Sequence, residues 1–358
     1  MGRAGAGAML DRVLRLCSSG ADARTLRLEL LAEIRRAVGF DAYAWLLTDP
    51  ETSVGSAPLA DVPCLPELPR LIRLKYLTPV TRWTALPPPG VATLLTATGG
   101  DPSRSRLWRE LLSAYQVVDL ASVVFRDAHG CWGFLDLWRV GPAAPAFTAG
   151  ETGLLADLAP MVTAGLRRAQ AATFTAPSGR GPSGPVVLLL SPELSPLAQT
   201  PQADGYLRAL VPPEGDAPPV PAVAYNVGAQ LLAVEAGVDG NPPVARVHFS
   251  GGLWLGVRAA RMDEAPAAVR GTIAVTIEPA SPAERLGLFA RAGGLTQRET
   301  ELLRHLATGS DTRGLARRMS LSEHTVQDHL KLKSIFAKTG TRSRGDRLAR
   351  ALGVVTGT

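Results

Sequence analysis

The chain has 358 residues, 46% of them hydrophobic, and its 38 Lys+Arg against 32 Asp+Glu leave a net charge of +6. That length exceeds one ordinary core, so two or three domains are expected. No apolar run approaches the roughly 18 residues needed to cross a bilayer, and Ala42 to Leu47 and Val186 to Leu190 are strand-sized. Met1 to Gly7 lacks the sustained apolar segment of a secretory signal. Cys17, Cys64 and Cys131 are odd in number, far apart and without metal-ligand spacing, as expected of reduced thiols in a cytosol. The expectation is a cytoplasmic protein with no membrane partner.

In the N-terminal half, Thr25 to Val38 is expected to form an amphipathic helix, with Leu26, Leu28, Leu30, Leu31, Ile34 and Val38 as its apolar positions. Ala42 to Leu47 reads as a strand. Val117 to Arg126 and Cys131 to Val140 read as two more, joined by Asp127-Ala128-His129-Gly130, which has hairpin-turn chemistry. Thr148 and Glu151 have capping-box spacing and open a helix through Leu154, Leu155, Leu158, Val162 and Leu166, kinked at Pro160. A sheet between such helices resembles a GAF-type sensor domain, here assigned to residues 1–170.

Ala171 to Pro185 is rich in Gly, Ser and Pro and is expected to be a flexible linker. It is no phosphate loop, because no Gly-Lys-Ser/Thr follows. Beyond it come a strand at Val186 to Ser191 and helices at Gln202 to Leu210 and Ala222 to Ala236. Strands at Ala245 to Phe249, Leu253 to Ala260 and Gly271 to Glu278 follow. One strand, helices and an antiparallel meander resemble a PAS-type domain, assigned to residues 186–281. Ser281 can cap a connector helix, Ala283 to Ala292, with Pro282 at its first position.

Residues 282–358 carry the densest pattern. Thr296 and Glu299 form another capping-box pair, Leu302, Leu303 and Leu306 fall on one stripe behind them, and Gly309 is the stop. Leu315, Ala316 and Met319 make a shorter helix, Ser322 caps a third near Thr325, and Lys338 to Arg344 leads into a fourth. Two short helices followed by one polar-faced helix is the layout of a helix-turn-helix. From Leu295 to Leu352 this order resembles the LuxR/FixJ-type helix-turn-helix of bacterial transcription factors. The matching residues are Leu295, Thr296, Arg298, Glu299, Gly309, Ala316 and Ser322, then Thr325, Val326, His329, Lys338, Gly340, Ser343 and Arg344. The Trp132-Gly133 hairpin and Asp101 to Ser105 are likewise similar to the sensor halves of some regulators of this type.

The resemblance implies double-stranded DNA as partner. It places Glu323, Thr325, Gln327, Asp328 and Lys331 at base edges, and Ser322, Lys333, Lys338, Arg342, Ser343 and Arg344 at phosphates. It also implies a homodimer on DNA paired through Leu348 and Leu352, although those leucines can equally pack into their own four-helix core. RNA polymerase is a further candidate partner. Charge agrees: residues 285–358 hold 14 Lys+Arg and 6 Asp+Glu, a net of +8, while the preceding residues sum to −2.

The chain departs from that family inside the third helix, which reads His329-Leu330-Lys331-Leu332-Lys333-Ser334-Ile335-Phe336, as if Leu-Lys were written twice. Two extra residues turn an ideal helix by roughly 200°. A regular helix would bury an unpaired Lys333 and expose Ile335 and Phe336, which costs more than the one or two hydrogen bonds lost in a bulge. A distorted helix with Ile335 and Phe336 inside is therefore expected.

Catalytic patterns are not found. His129, His248, His305, His324 and His329 make no H-E-x-x-H pair, and a G-x-S-x-G elbow is absent. Trp132, Trp138 and Trp254 read as core. No cofactor, metal or catalytic residue is expected. The expected fold class is multidomain α+β: GAF-like and PAS-like antiparallel sheets with flanking helices, plus an all-α four-helix LuxR-type domain. The expected function is a DNA-binding transcriptional regulator coupling an unknown signal, with a small-molecule ligand as candidate input, to promoter binding. The rivals are an interaction protein with a degenerate helix-turn-helix and a sensory enzyme.

Overall fold

The computed structural model describes residues 3–175, 186–211, 219–262, 271–310, 312–319, 338–339 and 344–353. The chain divides into two compact units. One comprises Met1–Leu166, Gly184–Val247 and Gly256–Glu278, and the other Arg167–Ser183, His248–Leu255 and Pro279–Thr358.

The N-terminal elements are α1 (Arg3–Ser18), α2 (Ala23–Ala37), β1 (Ala42–Thr48), β2 (Gly55–Asp61), α3 (Leu68–Leu77), β3 (Val91–Thr93), α4 (Leu94–Ala97), α5 (Arg106–Glu110), β4 (Val117–Asp127), β5 (Gly130–Val140) and α6 (Ala149–Ala172). Their strands form an antiparallel sheet in the order β2-β1-β5-β4-β3. The β4–β5 hairpin is held by Asp127, whose Oδ1 accepts from the His129 and Gly130 amides and from Trp132 Nε1 at 2.8, 3.2 and 2.9 Å. Gly130 is required there: at φ +152° a Cβ would stand 2.4 Å from the Pro50 carbonyl oxygen.

Asp22 caps α2 by accepting from the Arg24 and Thr25 amides. The buried stripe of α2 is Leu26, Arg27, Leu30, Leu31 and Ile34, while Leu28 is 43% exposed. The apolar stripe expected from the sequence is thus corrected by one position. Arg27 enters the core because its Nη1 donates to the Trp45 and Ala57 carbonyls at 2.9 and 2.8 Å. α1 adds Met9, Val13 and Cys17 at four-residue spacing, all buried. Cys17 lies so close to Gly165 of α6 that a Cβ on the glycine would meet its sulfur at 2.9 Å. α6 continues through Pro160.

One face of this sheet buries a charge pair. Lys75 of α3 donates to Asp136 of β5 at 3.0 Å, to Ser122 Oγ at 2.9 Å and to the Thr81 carbonyl at 3.2 Å. Asp136 also accepts from Ser122 Oγ at 2.6 Å and Trp83 Nε1 at 2.9 Å. Burial pulls the Lys75 ammonium below its ordinary range, and Asp136 opposes that pull. The Trp83 ring stacks on Phe134 at 4.8 Å.

The second set of elements is β6 (Val186–Leu190), β7 (Pro196–Gln199), α7 (Ala203–Leu210), α8 (Ala222–Glu235), β8 (Val244–Ser250), β9 (Leu253–Arg261) and β10 (Ile273–Pro279). Their sheet runs β7-β6-β10-β9-β8, which repeats the order of the first: second, first, fifth, fourth, third. Within the first unit, α8 packs against α3 and β2. Asp49, fully buried in the loop after β1, accepts from Arg246 of β8 through Nε at 2.6 Å, Nη2 at 2.7 Å and the backbone amide at 2.8 Å. Thr52 Oγ1 donates to the Val244 carbonyl beside it at 2.6 Å. The C-terminal helices are α9 (Pro282–Ala292), α10 (Gln297–Ala307), α11 (Thr312–Met319) and α12 (Arg344–Leu352). The molecule is therefore mixed α+β, with two antiparallel sheets, flanking helices and a helical C-terminus.

Candidate nucleic-acid interface

α9 begins with a complete capping box. Ser281 Oγ accepts from the Glu284 amide at 3.3 Å, and the Glu284 carboxylate accepts from the Ser281 amide at 2.9 Å. α10 repeats the device: Thr296 Oγ1 accepts from the Glu299 amide at 3.2 Å, and Glu299 Oε2 from the Thr296 amide at 2.7 Å. Behind this cap Leu302, Leu303 and Leu306 are buried, as their spacing requires. Arg298 Nη2 donates to the Met319 carbonyl at 2.5 Å and so fixes the end of α11 against α10, where Met319 is buried.

α12 packs on α9 and α10. Its inward residues are Arg347, Ala349 and Ala351, while Leu348 and Leu352 are half-buried. Arg285 of α9 joins this helix to two other segments of the same unit. It donates to the Arg350 carbonyl at 3.0 Å, to the Thr175 carbonyl at 3.0 Å and to the Gly252 carbonyl. Its guanidinium lies over the Phe174 ring, which stacks on Trp254 at 4.7 Å. Burial lowers Arg285 to about 10. Gly353 follows α12 at φ +70°, and a Cβ there would meet Arg285 Nε at 2.8 Å.

Lys338, expected at a phosphate, carries its ammonium on Glu299, at 2.8 and 3.0 Å from the two carboxylate oxygens. Burial tends to raise Glu299, but Lys338 and the Thr296 amide outweigh it and hold the carboxyl below the ordinary glutamate range. The base-reading candidates Glu323, Thr325, Gln327, Asp328 and Lys331 lie outside the described residues, as do Ser322, Lys333, Arg342, Ser343 and the doubled Leu-Lys. Arg344 opens α12, with its side chain outside the described set. Arg304 of α10 and Arg313, Arg317 and Arg318 of α11 are exposed, so the basic excess of this segment reaches the surface.

Residues 294–350 match the model for GerE, the bacterial regulatory proteins of the luxR family. The chain carries a LuxR-type helix-turn-helix domain. No curated protein matches the chain. Among solved structures, the bacteriophytochrome RpBphP3 from the photosynthetic bacterium R. palustris is similar at 12% identity and a TM-score of 0.30, over 78% of this chain. The match spans 63% of that protein's length.

Arg285 was not singled out by its sequence context, since only Ser281 as cap and Pro282 at the first helical position mark that region. His129 sits in the β4–β5 turn, His248 on β8 and His305 on α10. Among the described residues no cluster of three His, Cys, Asp or Glu could hold a metal ion, and no helix is long and apolar enough to cross a membrane.

Proposed function

We propose that this protein is a bacterial transcriptional regulator in which a GAF-like and a PAS-like module receive a signal and the LuxR-type domain binds promoter DNA. The family match over residues 294–350 carries the reading. The basic C-terminal segment supports it, because sequence-independent affinity for DNA comes from cations at phosphates. The strand order shared by the two sheets supports two related sensor modules. Base edges are assigned to Glu323, Thr325, Gln327, Asp328 and Lys331, and phosphates to Ser322, Lys333, Lys338, Arg342, Ser343 and Arg344. For Lys338, the bond to Glu299 makes holding the fold its first task.

The half-buried Leu348 and Leu352 are the proposed seam of a homodimer on DNA. A mobility-shift titration with the DNA upstream of the protein's own gene tests the regulator reading. Salt-sensitive retention that scrambled DNA does not match is the expected result. No retention at low salt would instead favour an interaction protein that has lost DNA binding. Sedimentation of the DNA complex as one protomer per operator would remove the dimer.

A further inference from the structure

Arg285 of α9 is 3% exposed, and among the described residues no carboxylate pairs with its guanidinium. The charge is held instead by the carbonyls of Thr175, Gly252 and Arg350 and by the face of the Phe174 ring. Thr175 lies just beyond α6, the last helix of the first module, Gly252 in the β8–β9 turn of the second, and Arg350 in the last turn of α12. All of them belong to one compact unit. Three parts of the chain therefore meet on one side chain.

The three contacts depend on one another. The Arg350 carbonyl is among those at a helix end that have no partner inside the helix, so Arg285 Nε caps α12. Gly252 and Thr175 abut: at φ +78° a Cβ on Gly252 would stand 2.7 Å from the Thr175 carbonyl oxygen and 2.8 Å from its Oγ1. Phe174 extends the clasp, stacked on Trp254 at 4.7 Å and edge-on to Phe289 of α9 at 5.6 Å. A buried guanidinium without a countercharge relies on every acceptor it has. Withdrawing one carbonyl raises the cost of keeping the charge inside and so weakens the two bonds that remain. A displacement at Thr175 or Gly252 is thereby felt at the end of α12.

We propose that Arg285 is a positioning residue through which the two sheet-bearing modules control α12, the helix that carries Leu348 and Leu352. The control of DNA binding rests on the function proposed above; the three-way junction does not.

Hydrogen exchange in the full chain reads the junction at the end of α12, where the Gly353 amide donates to the Ala349 carbonyl at 2.9 Å. Gly252→Ala should quicken exchange of that amide roughly three- to thirtyfold, the size of one strained backbone position and one lost hydrogen bond. Gly237→Ala is the control, since Gly237 follows α8 at φ +66° with nothing within 4 Å of an added Cβ. It should leave the Gly353 amide within about twofold, as a distant and independent site does. In an Arg285→Met background Gly252→Ala should add less than about twofold, because the shared partner is already gone. Where Arg285→Met does not fold, Arg285→Lys takes its place, keeping the charge on a head that cannot reach three carbonyls at once. No quickening by Gly252→Ala, equal quickening by both glycine changes, or full additivity with the Arg285 change overturns the junction. DNA affinity of Gly252→Ala, from a mobility-shift titration, separates the two readings. A severalfold loss supports control of DNA binding, whereas faster exchange at unchanged affinity keeps the junction and removes α12 as its route to DNA.

Discussion

The Glu299 carboxylate that closes the first turn of α10 also receives the Lys338 ammonium, at 2.8 and 3.0 Å. One side chain thus ends a helix and anchors a residue 39 positions away in sequence. Because its folded pKa lies below the ordinary value of 4.5, its contribution is present above that value and is lost as pH falls through the folded pKa. Glu299→Gln should cost about 1 kcal/mol at neutral pH, the Lys338 end being partly solvated. It should also flatten the acid limb of the unfolding curve. Thermal unfolding over a pH series checks this, and identical acid limbs in the two proteins would rule the pair out as a source of acid sensitivity.

Asp49 and Arg246 should behave as a buried pair. Asp49→Ala should destabilise the protein by about 3–5 kcal/mol, because the Arg246 guanidinium is left without its main countercharge. Replacing both, with Asp49→Ala and Arg246→Met, should cost less than the sum of the single changes. Denaturant titrations of the four proteins give the coupling, and strict additivity would contradict the bidentate geometry.

Arg285→Met removes the donor for three carbonyls at once and should destabilise the second unit by about 2–4 kcal/mol. Gly353→Ala should cost about 1–2 kcal/mol from its positive φ and its approach to the guanidinium. Both are read by thermal unfolding. If Gly353→Ala is neutral, the close approach to Arg285 is not a constraint on the end of α12.

In the DNA-binding segment, Gln327→Ala should cost about 1–3 kcal/mol at one base position, whereas Arg344→Ala should weaken all sequences alike. Binding to a set of single-base operator variants distinguishes them. An equal loss for cognate and scrambled DNA would remove Gln327 from the base readers.

Deleting Leu332 and Lys333 restores the spacing of the related helices and should raise both thermal stability and DNA affinity, since it relieves the conflict between Lys333 and Ile335 for the core stripe. If neither quantity changes, the doubled Leu-Lys imposes no strain.

Local chemistry was legible in the sequence. The Asp127 to Gly130 turn, the Thr296–Glu299 cap and the leucine stripe of α10 each depend on residues within a few positions of one another, and each is found. α1 escaped notice because the glycines that alternate with alanine in its opening turns lower the helical signal. Arg27 was passed over for Leu28 because side-chain type suggested the reverse of the burial that two backbone carbonyls stabilise. Asp49 and Arg246 are 197 residues apart, and periodicity cannot pair them. α8 did leave a trace: Asn226 and, one turn on, Gln230 are polar positions in a largely apolar helix that is buried nearly all round.

The Asp49–Arg246 pair also sets how the chain can be inherited. A gene rearrangement that kept the residues up to Ala172 and discarded the second sheet would strand a fully buried carboxylate and uncover the ground on which α8 rests. Such a fragment would start several kcal/mol short of a domain evolved to stand alone. The two sheets are therefore expected to be inherited as one cassette.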